Sequence, residues 1–265
     1  MFPVAAGVIA GLCYSIATIL QIQNMLKGRS LQVWVKGTGC AAVIAHAATV
    51  FTGFSGSEGI NLGTYPMLSL MALTIASIVL ASSLRRPVDN LFVLIFPIAL
   101  ATVTLQLLMS GDYTPREAMN NGILTHIVLS VAAYSLLTIA AAQAVLLSFG
   151  DHRLRHHRVA IIRNMPPLQT MEQLMFEMLW TGLIFLTLSI ATGFIFLEDI
   201  SSPGLIHHTV ITLLAWTVFA ILLWGRHQLG WRGAIASRWT LAGFVLLAIG
   251  YFGSKIVLEI ILGRS

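Results

Sequence analysis

Charged residues are scarce in this 265-residue sequence, where Asp, Glu, Lys and Arg together make up 9% of the chain. The hydrophobic fraction is 57%, and the mean hydropathy is +0.86. A soluble protein of this length needs far more charge to cover its surface. The composition therefore excludes a water-soluble globular protein and predicts an integral membrane protein without a separate soluble domain.

Residues that carry reaction chemistry are also few. The two cysteines, Cys13 and Cys40, lie in separate apolar stretches, and no Cys-x-x-Cys pair is present. This argues against thiol–disulfide exchange and against a cysteine-based zinc site. The sequence has no recognisable nucleophile–base pair, carboxylate dyad or glycine-rich phosphate loop. We therefore predict a binding protein and not an enzyme.

Long apolar stretches are abundant. A helix needs about 20 apolar residues to cross the hydrocarbon core of a bilayer. The sequence has eight such stretches, and the connections between them contain Gly and Pro residues, which interrupt helices. The sequence predicts an all-α membrane protein, one polytopic domain over residues 1–265 with a bundle of about eight transmembrane helices. The predicted spans are residues 3–25, 33–52, 62–84, 90–110, 122–149, 171–197, 205–225 and 239–262.

Basic residues alternate between the predicted loops. The second, fourth and sixth loops hold a single cation, Arg116. The odd-numbered loops hold Lys27, Arg29, Arg85, Arg86, Arg153, Arg155, Arg158, Arg163, Arg226, Arg232 and Arg238. The positive-inside rule then places the odd loops in the cytoplasm and both termini outside. The net charge of +5 is explained by this asymmetry, so nucleic-acid binding is not expected.

Four of the eight histidines lie in the predicted outer half of the membrane. His46 lies about 9 Å below the outer end of the second span, and His126 lies about 6 Å below the same surface on the fifth, at a rise of 1.5 Å per residue. His207 and His208 begin the seventh span. The other four lie among arginines in the odd loops and are expected on a basic surface: His152, His156, His157 and His227.

Two interpretations apply to His46 and His126. Ionisable groups inside a bilayer are costly, so a functional role is the first interpretation. Neutral imidazole is a good axial ligand for haem iron, and two facing helices can supply both ligands. The alternative is that each imidazole makes a hydrogen bond to a neighbouring helix. Their spacing leaves both interpretations open.

Lys255 lies in the outer third of the last predicted span, with Glu259 one helical turn further on. One interpretation is an ion pair that lets both side chains reach the interface. The other is a cation presented to an anionic ligand such as a haem propionate. Both interpretations remain open from the sequence.

Several segments carry a family resemblance. They are HIVLSVAAYSLL (residues 126–137), LTLSIATG (186–193), LLAWTVFAILLWGR (213–226), GWRG (230–233) and YFGSKIV (251–257). In this order they resemble the cytochrome c assembly family of haem-handling membrane proteins, the CcsA/CcmC type. The resemblance implies that His126, eight residues before Tyr134, is a ligand of haem iron.

The sequence also departs from that family. The tryptophan-rich haem loop of the family's synthetases is missing from the short interval Leu197–Gly204. Two further histidines expected from the family are Trp224 and Leu262 here. The pattern is closer to the short eight-span branch, similar to the HemX and YpjD proteins, for which haem synthetase activity is not implied.

We therefore predict a haem-binding or haem-handling protein of the bacterial inner membrane, in cytochrome c biogenesis or haem homeostasis, with b-type haem as its cofactor. The predicted haem site contains His126, His46, Lys255, His207, His208 and Tyr134, with His126 and His46 on the iron. Two alternatives stay open. One is a regulatory or scaffolding protein that binds a membrane or cytosolic partner through the loop at residues 150–170, and the other is a small-solute transporter.

Overall fold

The computed structural model describes residues 2–27, 30–54, 61–109, 120–155, 166–196 and 203–253. Its eight long helices confirm the all-α prediction within these residues. They are α1 (Phe2–Lys27), α2 (Gln32–Phe54), α3 (Thr64–Ser82), α4 (Phe92–Leu108), α5 (Asn121–Arg155), α6 (Leu168–Phe196), α7 (Pro203–Gln228) and α8 (Gly233–Ala248). A 3-10 turn, Asp89–Leu91, precedes α4, and a π-helical turn, Ile249–Gly253, follows α8.

The eight predicted spans correspond one to one with these helices. Each helix contributes to a stretch of 19 to 33 residues that is long and apolar enough to cross a membrane. The longest belongs to α5, which continues to Arg155, beyond the predicted end at residue 149. The number of spans is therefore confirmed, and α5 extends beyond the predicted end of the fifth span.

The eighth helix begins earlier in the chain than the predicted eighth span. α8 begins at Gly233, six residues before the predicted start at Trp239. The charge of Arg238 suggested a loop, whereas this exposed side chain lies on the second turn of the helix. A long cationic side chain near a helix end can extend toward the interface while its backbone stays helical. Lys255 and the rest of the predicted span lie outside the described residues.

Packing between helices divides the chain into two compact units. The first unit contains α1 to α4, and the second contains α5 to α8. The sequence had suggested one polytopic domain, and that assignment remains a prediction.

Aromatic side chains fill the centre of the first unit. Tyr14 of α1 packs against Phe96 of α4, with ring centroids 5.6 Å apart. Phe92 and Phe96 stack at 4.6 Å with nearly parallel rings. All three side chains are fully buried. Large rings bury the most apolar area per residue, so they hold α1 and α4 together.

Polar contacts tie one end of the first unit together. The ammonium group of Lys36 donates a hydrogen bond to the Ser83 carbonyl oxygen at 2.6 Å and lies 3.2 Å from a carboxylate oxygen of Asp89. The Gln21 amide donates to the Asp89 carbonyl at 2.7 Å. These contacts join α1 and α2 to the connection between α3 and α4. They explain how Lys36 is accommodated within α2.

A second polar cluster orders the connection between α7 and α8 in the second unit. Arg226 donates to Glu172 at 2.8 Å, and the other carboxylate oxygen of Glu172 accepts the Gly233 N–H at 3.0 Å. Gly230 and Gly233 have φ angles of +66° and +54°, a region that favours glycine. The glycines of the GWRG segment therefore form the turn that starts α8.

Candidate functional site

His126 lies in the second turn of α5 and faces α6 within the second unit. Its Nδ1 atom lies 2.9 Å from the Ser189 carbonyl oxygen and 3.4 Å from the Thr192 hydroxyl oxygen. The Thr192 hydroxyl in turn donates to the carbonyls of Leu188 and Ser189 on its own helix. A carbonyl oxygen only accepts hydrogen bonds. The short contact to Ser189 therefore requires the proton of the imidazole to be on Nδ1.

With the proton on Nδ1, Nε2 of His126 carries the free lone pair. Its only hydrogen-bond contact among the described residues is the Ser130 hydroxyl, at a long 3.5 Å. The Ser130 hydroxyl is also 2.7 Å from the His126 carbonyl and 2.6 Å from the Ser189 hydroxyl. These shorter contacts satisfy Ser130 better than Nε2 does. The half-buried imidazole thus presents a nitrogen with a free lone pair, and its ring orientation is set by a backbone carbonyl.

Aromatic residues of the same unit form a neighbouring cluster. Tyr134 lies two turns along α5 from His126 and packs on Tyr251 with ring centroids 5.2 Å apart. The Tyr251 ring in turn meets the His208 imidazole edge-on at 6.2 Å. Tyr134 is 5% exposed, and its hydroxyl reaches the Leu247 carbonyl at 3.4 Å. Helices α5, α7 and α8 are joined through these rings.

The two adjacent histidines at the start of α7 differ in their surroundings. His207 is exposed, whereas His208 is half-buried against Tyr251. The Tyr251 ring links His208 to Tyr134 of α5, the helix that also carries His126. The second unit therefore contains three of the predicted site residues, His126, His208 and Tyr134, and Tyr251 joins the last two. Their sequence positions did not indicate which of His207 and His208 faces inward.

Two further residues of this site, Ser189 and Tyr251, were not among the predicted site residues. Both lie in segments that had been noted only for their family resemblance. The signal available was a serine within LTLSIATG and a tyrosine at the start of YFGSKIV. Neither residue type indicates a ligand site without knowledge of its neighbours.

His46 has a different environment in the first unit. It is fully buried, its Nε2 atom lies 2.8 Å from the Ser69 hydroxyl, and its Nδ1 atom lies 3.2 Å from the Tyr14 hydroxyl. Both ring nitrogens therefore have hydrogen-bond partners on neighbouring helices. This is the interhelical arrangement that the sequence left open. Iron coordination by His46 would require one of these contacts to be released, and its role as a ligand remains a prediction.

We expect His46→Leu to destabilise the first unit. The change removes the imidazole between Tyr14 and Ser69, and a buried polar group that loses its partner costs about 1–3 kcal/mol. The free energy of unfolding in detergent micelles measures the effect. A double-mutant cycle with Tyr14→Phe should give a coupling of about 0.6 kcal/mol, the average found for interhelical hydrogen bonds in bacteriorhodopsin, and no more than about 1.7 kcal/mol. Additive effects of the two changes would contradict a stabilising hydrogen bond between Tyr14 and His46.

Protein ligands for a bare metal ion are too few in the described part of the chain. No three His, Cys, Asp or Glu residues group there in a way that could hold a metal ion. Structural zinc sites use four protein ligands and catalytic ones three. His126 is therefore not part of a cluster of three protein ligands within the described residues.

Comparison with known proteins identifies the family of this chain. The family model described as "Cytochrome C assembly protein" matches residues 34–262. The chain belongs to the cytochrome c assembly protein family. It is 32% identical to the inner membrane protein YpjD of Escherichia coli K12 over 260 residues, covering 96% of this chain and 98% of YpjD. No solved structure matches the chain.

More distant relatives extend the same likeness. A 28.8 kDa protein encoded in the nifR3-like 5′ region of Azospirillum brasilense is 26% identical, with 89% of this chain and 88% of that protein covered. Protein HemX of Brevibacillus brevis is 24% identical, with 76% and 79% covered. These matches support the HemX- and YpjD-like branch. With the eight spans, they identify a multi-pass protein of the bacterial inner membrane.

Proposed function

We propose that this protein binds b-type haem in its second unit, with His126 as an axial ligand of the iron, and that it serves cytochrome c biogenesis or haem homeostasis. The observation that carries the proposal is the hydrogen bond from Nδ1 of His126 to the Ser189 carbonyl, 2.9 Å long. Metal-binding histidines commonly donate their second ring N–H to such a partner, which fixes the tautomer and raises the basicity of the ligand nitrogen.

The residues around His126 suit a porphyrin better than a bare ion. Haem brings its own four equatorial nitrogens, so the protein needs to supply only axial ligands and an apolar cavity wall. Tyr134 and Tyr251 contribute aromatic surface beside His208 in the same unit. The absence of a Cys-x-x-Cys pair in the sequence argues against covalent haem attachment to this chain.

We further propose that this site opens toward the outer face of the membrane. The site is built from the start of α5, the end of α6, the start of α7 and the turn after α8. The charge asymmetry of the loops puts all four at the extracytoplasmic side, with both termini there too. This orientation would make the haem accessible from the compartment where c-type cytochromes mature.

The other two candidate functions have less support. The loop at residues 150–170, proposed as a protein dock, lies partly outside the described residues. The cationic side chains within α2 and α7, Lys36 and Arg226, are paired with Asp89 and Glu172. Haem binding is therefore the function that the side-chain contacts favour.

Purified protein tests the proposal directly. We expect about one haem per binding site after purification from haem-replete cells. The pyridine haemochrome assay measures this haem content, and the untreated sample should show a Soret band. The b-type assignment predicts that acidic acetone extracts the haem. Haem-free protein, after both purification from such cells and addition of haemin in detergent, would contradict the proposed function.

A further inference from the structure

An iron-porphyrin site with His126 alone is incomplete if its iron is six-coordinate. The second unit offers one further half-buried imidazole, that of His208, whose ring meets Tyr251, which in turn packs on Tyr134 of α5. Neither of its ring nitrogens has a hydrogen-bond partner within the part of the chain that the structure describes. A half-buried imidazole without a hydrogen-bond partner in the protein loses part of its solvation and gains nothing in return. Coordination of a His208 ring nitrogen to iron would offset that loss of solvation.

The fold holds His208 in this position through the end of α8. Gly250, in the π-helical turn, lies against Ile211 of α7, where an added Cβ would be only 3.1 Å from the Ile211 Cγ2 atom. This close approach brings the next residue, Tyr251, to the His208 ring, one helical turn before Ile211. Single π-helical turns occur preferentially at functional sites. The turn therefore places an aromatic ring where it orients the His208 imidazole.

We propose that His208 is the second axial ligand of the haem iron and that Tyr251 is its positioning residue. This inference depends on the proposed function, because it names the partner of His126 at the same site. It replaces the sequence-based pairing of His126 with His46. The two imidazoles belong to one compact unit, in which the Tyr251 ring meets both His208 and Tyr134 of α5, whereas both nitrogens of His46 are engaged by Tyr14 and Ser69.

Other side chains of the cluster are less suited to the iron. His207 is exposed, whereas His208 is half-buried. The Tyr134 ring is almost completely buried, and its hydroxyl reaches the Leu247 carbonyl. Two neutral imidazoles give a low-spin iron with a strong axial field, whereas loss of one gives a five-coordinate, high-spin iron. Spin state therefore reports the second ligand independently of haem content.

The experiment compares His208→Ala with two matched histidine controls, His207→Ala and His46→Ala. Each protein is purified with haem and examined by electron paramagnetic resonance and visible absorption. We expect the unaltered protein and both controls to be low-spin. His208→Ala should retain haem through His126 and convert to a high-spin spectrum. A low-spin spectrum in His208→Ala would overturn the proposal, as would a high-spin spectrum in His46→Ala.

Three further variants keep the test informative if His208→Ala does not fold. His208→Met offers a thioether to the same iron, and a His/Met pair should give a low-spin haem with a more positive reduction potential. An unchanged potential would overturn the proposal. Tyr251→Ala should broaden the low-spin signal while Tyr251→Phe, which keeps the ring, should not. Absence of haem from the unaltered protein would instead contradict the proposed function itself. It would then also remove the basis for His208 as a ligand and for Tyr251 as its positioning residue.

Discussion

Replacing His126 by alanine is expected to remove most of the haem from the purified protein. The variant loses the nitrogen that binds the iron, and changes to the partners of metal ligands already cost about 10–100-fold in affinity. The haem-to-protein ratio should therefore fall by about tenfold or more at limiting haem. The pyridine haemochrome assay on protein purified in parallel measures it. Imidazole added to the variant should restore part of the Soret band.

Ser189→Ala is the matched control for this change. His126 donates to the backbone carbonyl of Ser189, which alanine retains, so only the contact between the Ser189 and Ser130 hydroxyls is lost. We expect near-normal haem content in this variant. Full haem content with an unshifted Soret band in His126→Ala would rule out His126 as a ligand. Equal haem loss in both variants would indicate a packing effect and not coordination.

Replacing Gly182 by leucine is expected to disrupt the second unit. Gly182 lies in α6 against Leu137 of α5, and an added Cβ would lie 2.9 Å from both Leu137 Cγ and Leu137 Cδ2. Leu137 is fully buried and has little room to move. Overpacking a well-packed interior costs about 1–3 kcal/mol and sometimes more. We expect a lower free energy of unfolding in micelles and loss of haem with it.

Gly37→Leu provides the corresponding control on α2. A Cβ at Gly37 meets no atom within 4 Å, and the position is exposed. Both variants replace a helical glycine by leucine, so the gain in helix propensity is the same in each. The difference between them isolates the contact with Leu137. Equal stability of the two proteins would show that α5 and α6 do not pack closely at Gly182.

The number of helices could be predicted from the sequence because each must satisfy its backbone hydrogen bonds within an apolar stretch long enough to cross a bilayer. Charge was a less reliable guide to helix ends. Arg238 suggested a loop but lies on α8, and Lys36 lies within α2 because Ser83 and Asp89 accept its hydrogen bonds. Helix boundaries depended on hydrogen-bond partners of this kind, which the neighbouring sequence does not contain.

The candidate site was only partly predictable, for a related reason. His46 and His126 lie at similar predicted depths, and their spacing offered no distinction between them. Their shortest hydrogen-bond contacts, to Ser69 and Ser189, join residues 23 and 63 positions apart along the chain. Which side of a helix faces which neighbour depends on the rotation of each helix about its axis. Helices that are apolar on most sides carry little information about that rotation.

The sequence by itself determined the eight apolar spans, the asymmetry of the loop charges and the resemblance that singled out His126. Hydrophobic length and charge act locally, so they can be read along the chain. Only the tertiary structure decided that both nitrogens of His46 are occupied, that Nε2 of His126 is open, and that His208 and not His207 lies against Tyr251. Coordination depends on which nitrogen retains a lone pair, and contacts between helices decide that.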